Sequence, residues 1–255
     1  MHGELTLPLT TLFGFLMVLA RVAGALAFVP LPGFQVSPQP VRVILALSLT
    51  IALAPLWPAA LPPELSIGRM IALIASECAL GLTIGLAVAF LLETLMVAAQ
   101  IFGMQAGYSY ATTIDPTSGN DSNVLLVFAQ LMGGLLFFAL GVDRQVMRVF
   151  AMSLTAYPPG TFFLKPSAAD AVVKLGAGML STGVRLALPV IVLLMLMDLA
   201  LALLGRMQQQ MQLLTLTFPA KMLATLAFLA AILVLFLPVY RAAAEHTVSA
   251  LFRML

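Results

Sequence analysis

Charge is the scarcest commodity in this chain. Asp, Glu, Lys and Arg make up 9% of its 255 residues, against about 25% in a soluble domain. Only one cysteine is present, Cys78, which excludes an intrachain disulfide framework and a multi-cysteine metal site. Inside an apolar run it reads as a small core filler. The two histidines, His2 and His246, stand at opposite ends of the sequence. Neither a metal cluster nor a histidine-based triad can be drawn from them. The 12 Lys and Arg are scattered, for a net charge of +2, with no basic run to neutralise a phosphate backbone; nucleic acid is not an expected partner. No phosphate-cradling G-x-x-x-x-G-K-[ST] loop occurs. Glu77 and Glu93, on one helix, would lie roughly 24 Å apart, too far for shared acid/base chemistry. Neither an enzymatic activity nor a cofactor is expected.

What is abundant is apolar. Hydrophobic residues make up 62% of the chain and mean hydropathy is +1.10, which asks for lipid or partner protein around most of the surface. Residues 1–255 read as one membrane-embedded domain. Six apolar stretches stand out: Leu9–Val29, Val43–Leu56, Met70–Gln100, Val124–Val142, Ala171–Leu204 and Met222–Tyr240. Backbone amides in hydrocarbon must be paired within the segment, and no alternating barrel pattern appears. The fold class is therefore all-α, a polytopic membrane protein of about six hydrophobic helical segments. Prolines and glycines punctuate them, at Pro30 to Gly33, Pro38 and Pro40, Pro58 with Pro62 and Pro63, Pro158 to Gly160, and Pro166. Ala25-Leu26-Ala27 resembles a signal cleavage site, but the first twenty residues carry no Lys or Arg, so the first segment is expected to be retained. Connecting-segment cations divide six (Arg69, Arg144, Arg148, Lys165, Arg241, Arg253) against three (Arg42, Arg206, Lys221), favouring cytoplasmic termini. Segment lengths are uneven: Met70–Gln100 would reach roughly 46 Å and Ala171–Leu204 about 50 Å, whereas the hydrocarbon core is about 30 Å thick. The long helices must break, with Pro189 as a kink site, or the protein is not a simple bilayer bundle.

Five charges interrupt the apolar segments: Arg21, Glu77, Glu93, Arg185 and Asp198. Each costs at least about 2.5 kcal/mol at a helix centre, so such groups face protein or water. They form no obvious relay, and the favoured reading is pairing between helices or subunits, for example Arg185 with a carboxylate. Small residues recur at helical spacing in Gly81-x-x-x-Gly85 and Gly103-x-x-x-Gly107, a pattern that lets helix backbones approach.

One stretch breaks the pattern. Residues 105–123 carry hydroxyl and amide groups, two tyrosines and no Lys or Arg. Non-helical backbone near membrane depth is tolerated where it lines a cavity or is buried in protein. The run Gln105, Ala106, Gly107, Tyr108, Ser109, Tyr110, Ala111, Thr112, Thr113, Ile114, Asp115 and Pro116, continuing through Thr-Ser-Gly119, resembles the signature loop of the FliR family. That family supplies the R component of the flagellar type III export gate. The resemblance extends to Arg21 with Pro30-Leu-Pro-Gly33 and Pro40-Val-Arg42, and to Glu77-x-x-x-Gly81-x-x-x-Gly85. It continues through Tyr157-Pro-Pro-Gly160, Ala187-Leu-Pro189 through Asp198, and Phe218-Pro-Ala-Lys221. The chain differs from the family at Gly141-Val-Asp-Arg-Gln145 and Arg206-Met-Gln-Gln-Gln-Met211. The resemblance implies a non-enzymatic subunit in the bacterial inner membrane, within the flagellar basal body. Its implied partners are P and Q subunits, the A-type export and B-type switch components, and membrane lipid, with unfolded exported proteins as cargo. The 105–116 loop is similar to the family's pore plug, and an assembly raised partly out of the bilayer would accommodate the uneven segments. The equivalent subunit of a virulence secretion system is the alternative, with a secondary transporter behind it; the latter would call for an inverted repeat, and none is seen between the halves.

Overall fold

A computed structural model describes residues 9–29, 39–57, 66–108, 124–162, 166–207 and 213–254. All regular structure among them is helical: α1 (Leu9–Phe28), α2 (Gln39–Ala52), a 3-10 turn (Ala54–Leu56), α3 (Ile67–Ala106), α4 (Val124–Ala139), α5 (Val142–Ala156), α6 (Pro166–Met207) and α7 (Leu213–Met254). Four of these, α1, α3, α6 and α7, contain stretches long and apolar enough to cross a membrane, and α4 with α5 forms a pair bent by 66° that counts as a fifth. The protein is polytopic and all-α.

Several helices outrun their apolar stretches. Helix α3 has 40 residues, and α6 and α7 have 42 each. Their contours of about 60 Å are twice the hydrocarbon thickness. Loss of apolarity does not end a helix; backbone chemistry does. Helix α3 stops at Gly107, whose φ of +87° is left-handed, a conformation that costs glycine little and closes the last turn. Pro166 opens α6, where its missing N–H is no loss. Helix α5 lies beyond the six apolar stretches. It is amphipathic, burying Val142, Val149, Phe150, Ser153 and Leu154 while Arg144 and Arg148 are exposed. Gly141, at φ +66°, makes the turn that separates it from α4.

The chain divides into two compact units. The first comprises Met1–Phe90, Gly141–Gly176 and His246–Leu255; the second, Leu91–Leu140 and Ala177–Glu245. In the first, Phe13 and Met17 of α1 pack with Leu73, Met70 and Ile74 of α3. Arg42 of α2 donates to the Ala27 carbonyl at 2.6 Å. The indole of Trp57 donates to the Thr50 carbonyl at 3.1 Å, and its ring stands edge-on to Phe15 at 5.6 Å. In the second, Leu95, Ala98 and Phe102 of α3, Leu125 and Ala129 of α4, and Leu229 and Phe236 of α7 surround a gap of about 10 Å³, too small to weaken the packing materially.

Candidate functional site

Among the described residues two polar clusters form, one in each unit. The first begins with a close helix crossing. A Cβ on Gly81 would lie 2.0 Å from the Arg21 carbonyl oxygen, one on Gly85 2.3 Å from that of Ala25, and one on Gly24 2.4 Å from that of Cys78. Glycines on both helices thus let α1 and α3 touch backbone to backbone. That approach brings Arg21 and Glu77 together with no solvent exposure, Nε donating to Oε2 at 2.6 Å.

The remaining guanidinium donors turn to α5. Nη1 donates to the Ser153 carbonyl at 2.7 Å, and Nη2 to that of Tyr157 at 2.9 Å. These oxygens belong to the C-terminal end of α5, where helix carbonyls lack partners and carry partial negative charge. Arg21 therefore caps α5 while paired to α3. The other Glu77 oxygen accepts the Gly160 N–H at 2.8 Å. Gly160 sits at φ +90° in a turn closed by Thr161 N–H to the Pro158 carbonyl at 3.0 Å. Proline then glycine at its two central positions is the type II signature. One ion pair thus ties α1, α3, the end of α5 and the following turn. Burying two charges is tolerable only with this degree of hydrogen bonding, and with both side chains sealed no substrate reaches them.

The second cluster holds the first residues of the 105–116 run. Asp198 of α6 and Lys221 of α7 form an ion pair at 2.5 Å. The Gln105 side-chain amide donates to Asp198 Oδ2 at 3.2 Å, and Lys221 Nζ donates to the Gln105 carbonyl at 3.4 Å. The Tyr108 hydroxyl donates to the Met222 carbonyl at 3.0 Å. Gly107 leaves room for Phe218, whose Cδ1 would lie 2.9 Å from an added Cβ. Ala106 is buried. Ser109, Tyr110, Ala111, Thr112, Thr113, Ile114, Asp115 and Pro116 lie outside the described residues.

The five apolar-segment charges thus separate. Arg21 pairs with Glu77, and Asp198 with Lys221. Glu93 and Arg185 are exposed, and neither takes part in an ion pair among the described residues, so the carboxylate partner expected for Arg185 is not found there. Gly103 is buried on α3. Sequence reasoning did not assign Ser153, Tyr157, Gly160 or Lys221 to these clusters. Their signals were the Tyr157-Pro-Pro-Gly160 breaker and the Phe218-Pro-Ala-Lys221 run, which mark positions without naming partners 80 to 140 residues away.

Comparison with known proteins agrees with a chain built for assembly. The profile of the family described as "Bacterial export proteins, family 1" matches residues 12–247. The chain is 30% identical to the flagellar biosynthetic protein FliR of Escherichia coli (strain K12) over 93% of its own length and 89% of that protein. Identity to FliR of Caulobacter vibrioides is 29%, covering 84% and 86% of the two chains. With FliR of Pectobacterium carotovorum it is 27%, covering 94% and 90%. Its membrane helices and near end-to-end match say that the chain belongs to the FliR family of bacterial export proteins, as a non-enzymatic inner-membrane component of the flagellar type III export gate.

Proposed function

We propose that the chain acts as the R subunit of the gate, helping to form a channel for unfolded flagellar proteins and sealing it with the 105–116 run, whose first two residues are the last of α3. The observation that carries this reading is the anchoring of the loop's first residues by Asp198, Lys221 and Met222. A plug must be held in place while remaining free of catalytic groups, and polar, small-residue backbone at membrane depth needs protein or a cavity around it.

P and Q subunits are the proposed lateral partners, with A-type and B-type components completing the apparatus. In its most apolar stretch, α3 buries half of its residues within the chain, and α7 only 17%. The open faces of α6 and α7 suit contacts with other subunits as well as lipid. Glu93 and Arg185 are charges that such contacts would have to satisfy.

The test is deletion of 107–115. The expected result is an assembly that still co-purifies with its partners but makes membrane vesicles permeable to small solutes. Normal assembly with unchanged permeability would show that the loop does not seal.

A further inference from the structure

A second feature of the first unit is independent of the plug. A cavity of about 520 Å³ lies between the beginning of α6 and the end of α7. His246, Ser249 and Arg253 form its wall on α7. Their spacing of three and seven residues places them on one helical stripe. Lys174 of α6 faces them, and the rings of Tyr157 and Phe162 contribute apolar surface, standing edge-on at 5.4 Å. Among the described residues, no carboxylate side chain lines the cavity. On α7 the acid adjoining His246 is Glu245, which faces Arg241 at 3.9 Å.

Its place along the helices identifies the ligand chemistry. The apolar span on α6 begins at Ala169, and that on α7 ends at Met254. Lys174 and Arg253 therefore stand within two turns of the ends of these two stretches, where cations can reach an anionic headgroup while the helices continue into apolar surface. Val173 and Phe252, on the same turns, expose apolar surface. The volume exceeds what a bare phosphate needs and falls in the range of small-molecule pockets. Basic pockets between helix ends are a recurring solution for anionic headgroups.

We propose that this cavity binds the phosphate headgroup of an anionic phospholipid, with Lys174 and Arg253 as its cationic contacts, Ser249 as a hydroxyl donor, and the acyl chains lying along the exposed apolar faces beside it. The full chain, purified with its co-purifying subunits, would be placed in phosphatidylcholine nanodiscs with and without phosphatidylglycerol. Retained phosphatidylglycerol would be counted by native mass spectrometry.

Lys174→Gln with Arg253→Gln is expected to weaken retention about 30-fold, from the usual contribution of two cations near an anionic surface. Lys174→Arg with Arg253→Lys should retain the lipid, and Arg148→Gln, an exposed cation outside the cavity, should change nothing. Equal retention in the double Gln variant would overturn the proposal, as would equal weakening by Arg148→Gln. Displacement of the lipid by inorganic phosphate at similar concentration would make this a free-anion site instead. Protection of Lys174 from amine acylation by a co-purified subunit, with lipid retention unaffected, would assign the cavity to a protein contact.

Discussion

Glu77→Ala is the most informative perturbation of the first unit. It removes the acceptor of Arg21 Nε and of the Gly160 N–H together. It leaves a guanidinium with no exposure to solvent facing an apolar methyl. Removing one partner of a buried pair costs about 3–5 kcal/mol, because the surviving charge stays desolvated. Replacing both, as Arg21→Met with Glu77→Leu, removes the charges and recovers about 1–4 kcal/mol of apolar packing. The double change still strands the Gly160 N–H and the Tyr157 carbonyl, at about 1–3 kcal/mol each. The Ser153 carbonyl keeps the Tyr157 N–H at 3.1 Å. The double variant should therefore be more stable than Glu77→Ala alone, and in the cycle of Arg21→Met, Glu77→Leu and the double variant the coupling should be at least about 2 kcal/mol. Trp57 is the only tryptophan and rests against Phe15 of α1, so its fluorescence during SDS titration reports on the helix that carries Arg21. A Glu77→Ala cost below about 1 kcal/mol, the value of an exposed pair, would refute the account. So would simple additivity of the two single changes.

Two further outcomes follow from the same geometry. Gly81→Ala forces a Cβ against the Arg21 backbone and should destabilise by about 1–3 kcal/mol, whereas Gly178→Ala, with open space around it, should stabilise α6 by about 0.5–1 kcal/mol; detergent thermal melts separate them. Asp198→Ala strips Lys221 and Gln105 of a shared acceptor and should lower the yield of co-purified complex before export is affected; normal complex with lost secretion would give Asp198 a direct part in transport.

How far the sequence could be read depended on the kind of signal. Apolar runs located four crossing helices and the first half of the bent pair, because hydrocarbon imposes length and composition directly. Helix α5 was invisible to that criterion: Asp143, Arg144, Gln145 and Arg148 break any apolar window, although Val142, Val149, Phe150 and Leu154 keep one buried face. The continuation of α7 past Tyr240 escaped for the same reason, since only Ala244, Val248 and Leu251 face inward there. Arg21, Glu77 and Asp198 stood out as charges needing partners, but nothing local indicates which. Arg21 is linked to a residue 56 positions ahead and to a carbonyl 136 ahead; such pairings are properties of the packed helices. Lys221 reads as a connecting-segment cation until its helix is seen to bring it against Asp198. Glycine spacing gave more, because Gly81 and Gly85 permit close approach wherever a second helix is available.

The ion pair also sets a schedule for biogenesis. Arg21 is synthesised 56 residues before Glu77, an interval of roughly 3–11 s at ordinary elongation rates. Throughout that interval the first segment carries a cation whose insertion penalty is about 2.5–3.5 kcal/mol at a helix centre. The carboxylate that offsets this penalty arrives only with α3, so the polar pairing of the two helices is completed after both have been made, despite the chain between them. The end of α5, later still, locks that pairing rather than creating it.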